Sequence, residues 1–353
     1  VSEFAAILHD MLGAAGVPDA ARRWADGDRA PGLALWRRLA ALGVTGLAVP
    51  EKRGGLGASP ADLVAACAEL GHHAVPGPVA ESVAAVPALL SALDEGALDD
   101  TVLDDPAAPG EWLTRLADGE LIATLAVPPR LPFAADAEAA GLILLAEGDV
   151  VQVGTVPGMG TVAGMGTVAG MGTAVASRRS VDPARSLSLV AGQRVLARGA
   201  GPAVARAFEL GTLACSAQLL GAGRALLEAS VRHASTRAQF GRPVGSFQAV
   251  KHKLADVAIG LEFAGPLLDA AAAALAEGSA TAARDVSAAK VVCCDAAARA
   301  ASAALQVHGA IGYTAEHDLS LWLAKVRALV PAWGTQAEHR DRVMAELAGG
   351  VSS

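Results

Sequence analysis

Between Ala203 and His233 the chain runs without a proline, and no other feature limits the possible folds as strongly. A stretch of that length, rich in Ala and Leu, is far too long for a strand and predicts a helix that other helices must cover. Phe247 to Glu277 continues at helical period with one interruption at Gly265-Pro266, and Thr281 to Val307 is alanine-rich throughout. Three long helices and a shorter terminal one predict a bundle. The composition suits it: 53% of residues are apolar but only 3% aromatic, so the interior must be built from Ala, Leu and Val in closely packed helices.

Upstream the texture changes twice. From Glu3 to about Trp112 the pattern is again helical, with Leu35, Trp36 and Leu39 on one face before a break at Gly43. A further helix over residues 61–70 is begun by Ser59-Pro60, a capping serine and a first-turn proline. Val49-Pro50 to Gly57 between them reads as a loop. From Leu116 onward, Leu121–Val127, Gly141–Ala146 and Ser186–Val190 are short apolar or alternating runs bounded by Pro, Gly and Asp, which predict strands. The expected organisation is therefore an N-terminal helical domain (1–115), a middle β domain (116–199) and a C-terminal helical bundle (200–353). Within the β domain a six-residue repeat, beginning at Gly154, Gly160 and Gly166 and ending each time in Met, reads as a duplicated hairpin-like insertion. Its glycines lack the spacing of a dinucleotide fingerprint.

Several classes of partner are excluded by charge and composition. The formal net charge is −8, and Lys and Arg are scattered, so the basic footprint of a nucleic-acid binder is missing. Cys67, Cys215, Cys293 and Cys294 show neither a disulfide framework nor zinc-finger spacing, which suits a reducing cytoplasm. The opening Val-Ser-Glu-Phe shows no signal peptide, and the long uncharged stretch Val150–Ser177 is too glycine-rich to cross a membrane as a helix. A cytoplasmic chain is expected.

Two segments are more specific than any of this. The first is Ser235-Thr236-Arg237-Ala238-Gln239-Phe240-Gly241-Arg242-Pro243, continuing through Phe247-Gln248 to Asp256; the second is Gln306-Val307-His308-Gly309-Ala310-Ile311-Gly312-Tyr313. With Leu35-Trp36, Leu42-Gly43 and the Val49–Gly57 loop, they resemble the acyl-CoA dehydrogenase family, and the resemblance covers nearly the whole chain. It implies an α+β fold with an N-terminal helical domain, a middle small β-barrel and a C-terminal four-helix bundle. It also implies FAD bound at a subunit interface and an electron-transfer flavoprotein as acceptor. Carried over residue by residue, the cofactor-binding positions are Arg237, Gln239, Phe240, Gln248, Gln306, Val307, Gly309, Ala310, Gly334 and Thr335. An Arg fork suits a pyrophosphate, Gln offers paired donor and acceptor groups, and Gly permits close backbone approach.

The sequence departs from the family where the chemistry is done. The family removes the α-proton of an acyl thioester with a glutamate and passes the β-hydrogen as hydride to the flavin. That glutamate directly precedes a Gly-Thr pair in many members, and here Trp333 precedes Gly334-Thr335. Other members carry it on the helix before the first motif, where the count falls on Gly211; the remaining carboxylate candidate, Glu209, lies two residues away, a rotation of roughly 200° to the opposite helix face. The middle-domain flavin contacts are also missing, with no tryptophan between Trp112 and Trp322. This half-site resembles the non-catalytic chain of actinobacterial acyl-CoA dehydrogenases built from two different subunits, which act on steroid side-chain thioesters. Glu316-His317-Asp318-Leu319 and Ala337-Glu338-His339-Arg340 also look like that group. The expectation is an α2β2 enzyme on an acyl-CoA substrate, whose partner subunit supplies the base. The alternatives are a complete homomeric dehydrogenase using Glu209 and a cofactor-free scaffold subunit.

Overall fold

The computed structural model describes residues 3–96, 101–157, 159–162, 165–169, 177–314 and 316–350. The N-terminal stretch forms α1 (Glu3–Gly13), α2 (Val17–Ala25), α3 (Ala30–Ala41), α4 (Pro60–His72) and α5 (Val86–Asp94). A two-residue strand, β1 (Val102–Leu103), then precedes α6 (Ala108–Ala117). The middle stretch carries β2 (Ala123–Ala126), β3 (Ala134–Ala135), β4 (Leu142–Glu147), β5 (Val150–Thr155), β6 (Met159–Val162), β7 (Met165–Ala169), β8 (Ser177–Arg179), β9 (Ser186–Ser188) and β10 (Ala191–Arg198). There follow α7 (Gly201–Thr236), the strands β11 (Ala238–Gln239) and β12 (Arg242–Pro243), α8 (Gln248–Ala276), α9 (Ala282–His308), α10 (Leu319–Leu329) and α11 (Gln336–Gly350). The expected order of helical, β and helical regions is the observed one. Pro266 lies inside α8 without ending it.

The chain packs as two compact units: Val1–Pro18 with Val64–Val75 and Cys215–Ser353, and Asp19–Leu63 with Pro76–Ala214. In the second unit a five-stranded sheet runs β1-β10-β5-β4-β2, antiparallel except for the parallel β2/β4 pair, and a three-stranded sheet runs β3-β9-β8. Its alanine-dominated core includes Ala126, Ala134, Ala137 and Ala140 around Ile143, Leu145 and Val156. The Ser59 cap forms with Asp62 as a reciprocal pair: the Ser59 N–H donates to Asp62 Oδ2 (3.1 Å) and the Asp62 N–H to Ser59 Oγ (3.2 Å). Of the six-residue repeat, β6 and β7 pair as an antiparallel ladder, while residues 158, 163–164 and 170–176 lie outside the described residues.

In the first unit α7, α8 and α9 pack on one another through small residues; a Cβ added at Gly223 would meet Leu261 of α8 and Ala297 of α9. Where α4 crosses α7 the backbones nearly touch. A Cβ at Gly71 would come within 2.1 Å of the Gln218 carbonyl oxygen, and one at Gly221 within 1.8 Å of that of Ala68. All four cysteines are free and buried, and burial pushes the Cys67 and Cys293 thiols up to about 12, which leaves them inert. By length and composition α7 and α8 could each cross a bilayer; the apolar window of α7 is 89% buried within the chain and that of α8 39%.

Candidate functional site

Because α7, α8 and α9 alternate in direction, the C-terminus of α7, the N-terminus of α8 and the C-terminus of α9 meet at one end of the first unit. Both sequence motifs sit there. Lys253 of α8 donates to Gln306 Oε1 of α9 at 2.5 Å, and the His233 and His308 rings lie 4.3 Å apart between α7 and α9. Arg237, Gln239, Phe240, Gln248, Gln306, Gly309 and Ala310 are all exposed, and Val307 is half-buried.

The segment joining α7 to α8 is a two-residue hairpin. Gln239 pairs with Arg242, and Phe240 and Gly241 between them both adopt positive φ (52° and 77°), the tight turn that matches strand twist. Gly241 takes that backbone freely; Phe240 does so at a cost, while its ring is 91% exposed. An aromatic ring held out to solvent on a strained backbone has a surface to present. Arg242 is exposed and lays its guanidinium over the Phe247 ring at 4.1 Å. At the α9 terminus Gly309 has φ 63°, and no atom lies within 4 Å of where its Cβ would be, so its backbone is open to close approach.

Gly334 and Thr335 are not part of this cluster. They lie in the α10–α11 turn, and Gln336 beside them reaches Val291 and Asp295, about 16–22 Å along α9 from Gln306 at the standard rise per residue. Thr335 caps α11: its N–H and hydroxyl both donate to Glu338 Oε2 (2.6 and 2.8 Å). A Cβ on Gly334 would strike the His339 ring. Trp333 has positive φ (61°) and is 1% exposed, so its indole belongs to the core. The turn is held from beneath by Lys290, which donates to the Leu329 carbonyl (2.9 Å), and by Cys294, which donates to that of Val330 (3.6 Å).

His339 locks the same turn by donating from Nε2 to the Trp333 carbonyl at 2.8 Å, with Nδ1 3.1 Å from Ser287 Oγ. Burial pushes its pKa down to about 4 from an ordinary 6.5. The unfolded chain therefore takes up this proton below pH 6.5 and the folded chain only below about 4, so stability present at neutral pH is lost as pH falls through that window. The contribution is on the order of 3 kcal/mol. Urea unfolding at pH 7 and pH 4.5 should show a smaller loss for His339→Gln than for the parent; equal losses would exclude His339 as the source.

Glu209 belongs to the other unit. It is buried in α7 at 8% exposure. A cavity of about 530 Å³ in that unit is lined by Ser59, Leu63, Ser91, Arg206 and Leu210 among others, but not by Glu209. Gly211 is buried in the same helix.

Sequence reading missed a second cavity, of about 580 Å³, in the first unit. Six of the chain's eight histidines line it: His9, His72, His73, His233, His308 and His317. Burial lowers the pKa values of His233 and His308, the former with help from the neighbouring His308. His308 Nδ1 donates to the Ala304 carbonyl (2.8 Å), and His317 Nδ1 accepts from the Leu319 N–H (3.2 Å) at the start of α10. His308 and His317 stand in segments already singled out, and the adjacent pair His72-His73 is a further signal in the sequence.

Profiles of the N-terminal and C-terminal domains of acyl-CoA dehydrogenases match residues 3–95 and 198–348, together well over half of the chain. The chain is 28% identical over 332 residues to the acyl-CoA dehydrogenase IpdE2 of Mycobacterium tuberculosis, covering 94% of this chain and 92% of that protein. Among solved structures it superposes on a variant of the Tcur3481-Tcur3483 steroid ACAD (TM-score 0.77, 20% identity, 99% and 98% covered). It also superposes on the ChsE4-ChsE5 complex from Mycobacterium tuberculosis (0.75, 24%, 99% and 98%).

Proposed function

Because the chain belongs to the acyl-CoA dehydrogenase family, we propose that it is the non-basic subunit of a heteromeric FAD-dependent acyl-CoA dehydrogenase. It completes the ADP side of the flavin site while a different dehydrogenase subunit, in an α2β2 assembly, supplies the carboxylate base. The observation that carries this reading is Trp333. Trp333, which precedes Gly334-Thr335 where the resemblance would put the glutamate, is an indole sealed into the core at 1% exposure, and Glu209 does not line the cavity of about 530 Å³ in its unit, which supports this reading. Two of the similar structures are pairs of differently named chains, and one of them is a steroid enzyme, which supports both the heteromer and a steroid side-chain thioester as substrate.

FAD would supply the hydride acceptor for α,β-desaturation, with an electron-transfer flavoprotein as the onward acceptor. The residues present fit its ADP half. Arg237 would place its fork on the pyrophosphate, Phe240 would offer its exposed ring, and Gln239, Gln248 and Gln306 would exchange hydrogen bonds. Gly309, with Val307 and Ala310 beside it, would allow close approach along the backbone. Gly334 and Thr335 fit it less well, since the Thr335 hydroxyl is already taken by Glu338.

Two measurements test the reading. Purified alone, the chain should carry no stoichiometric flavin, and co-expression with its partner dehydrogenase should yield a yellow complex. A yellow homo-oligomer that oxidises acyl-CoA would establish the homomeric alternative, and a complex colourless at every stage would establish a scaffold. In the assembled enzyme Glu209→Gln should leave activity within a few-fold of the parent, because loss of a true general base costs about 10²–10⁴-fold. A hundredfold loss with flavin retained would make this chain catalytic.

A further inference from the structure

We propose that His9, His72 and His73, with Glu69, form a binding site for a divalent transition metal of the zinc class, pinning α1 to the end of α4 at the edge of the histidine-lined cavity. The site lies wholly within the first unit. Each of the three imidazoles offers one ring nitrogen, and these atoms all lie within 4.8 Å of one another. The ring centroids form a nearly regular triangle, 5.1, 4.7 and 5.1 Å on a side. His73 Nε2 is 3.3 Å from His9 Nδ1. Two imidazoles on one tetrahedral zinc at 2.0–2.1 Å have nitrogens about 3.4 Å apart, so this pair already stands at ligand spacing.

The fourth donor is on hand. Glu69 Oε2 lies 2.8 Å from His9 Nδ1, close enough for both atoms to share one ion. Three neutral imidazoles and one carboxylate are the donor set that zinc, cobalt and nickel prefer, whereas calcium and magnesium favour all-oxygen sites. The charge balance is favourable as well. Glu228, whose carboxylate lies 3.6 Å from His72 Nε2, adds a second negative group, shared with Arg232 at 3.7 Å.

The backbone elements that carry the ligands are firmly placed. On α1, Ala5, Leu8 and Leu12 are buried, which fixes the rotation of the helix and sets His9 toward α4. A Cβ on Gly13 would stand 3.9 Å from the His73 ring, so α1 runs directly against the ligand pair. His72 ends α4, and its carbonyl accepts from the Trp322 indole N–H at 2.7 Å; three residues on, the Val75 carbonyl accepts from Lys325 Nζ at 3.0 Å. Ligands on two anchored helices, more than sixty residues apart in the chain, give an ion a long loop to close and hence a structural role.

The test uses the untagged full chain, stripped with a chelator and titrated with Co²⁺ and then Zn²⁺. About one equivalent of Co²⁺ per chain is expected, with the strong visible absorption of a tetrahedral nitrogen-rich sphere, displaced by Zn²⁺. His9→Ala and His73→Ala should each weaken binding at least about a hundredfold, and Glu69→Gln about 10–100-fold. His252→Ala, an exposed histidine elsewhere, should bind like the parent. Saturating Zn²⁺ should raise the unfolding midpoint of the parent and leave that of His9→Gln unchanged. Binding below about a tenth of an equivalent, or only the weak absorption of a six-coordinate aqua ion, would overturn the site. So would unaltered affinity in both His9→Ala and His73→Ala.

Discussion

Arg237→Ala is expected to strip the assembled enzyme of most of its FAD, while Arg242→Ala retains it. A charge-assisted, two-pronged contact with a pyrophosphate contributes on the order of 1.5–3 kcal/mol when shielded from water, or roughly ten- to hundredfold in affinity. The two arginines flank one hairpin, so loss of positive charge is the same in both variants and only geometry separates them. Arg237 precedes β11 with an exposed side chain, and its carbonyl accepts from the Val244 N–H at 2.8 Å, which closes the base of the hairpin. The Arg242 guanidinium is occupied by the Phe247 ring. Flavin absorbance after gel filtration of the two complexes decides the matter, and equal retention would remove Arg237 from the proposed cofactor site.

The second large effect concerns stability. Gly221→Ala should lower the unfolding free energy by about 1–3 kcal/mol or more, because the new methyl must displace backbone rather than a flexible side chain. Its position falls 1.8 Å from the Ala68 oxygen and 2.9 Å from the His72 nitrogen, and relief requires α4 and α7 to separate along their crossing. Intrinsic propensity acts the other way, since Ala is better than Gly in a helix interior by about 1 kcal/mol. Gly260→Ala on α8 isolates that opposing effect, as no atom lies within 4 Å of its added Cβ. The pair should therefore shift in opposite directions in urea unfolding, and a Gly221→Ala protein as stable as the parent would show that the crossing is not tight.

Much of the fold was legible because its determinants are local. Alanine-rich runs at helical period set the spans of α7, α8 and α9, with Pro266 inside α8, Ser59 and Asp62 sit three residues apart in the very turn they cap, and the hairpin tip at Phe240-Gly241 lies within one motif. The terminal helices were less legible: the single short helix expected after α9 is two, α10 and α11, joined by the Trp333-Gly334 turn. Strand β1 escaped notice since two residues carry no alternation, and their pairing with Arg198 and Ala197 is made nearly a hundred residues away.

For the candidate site the division is the same. The resemblance of two motifs to the family was enough to single out Arg237, Gln248, Gln306 and Gly309 as candidates and to register that no glutamate precedes Gly334-Thr335. Only packing could decide that the Trp333 indole is sealed into the core and that His9 meets His72 and His73. Patterns within one or two helical turns are set by neighbours in the chain and can be read from it. Which side chains meet across sixty or more residues depends on how closely the helices approach, and at the α4–α7 crossing that approach is set by the absence of side chains at Gly71 and Gly221, whose partners the sequence does not name.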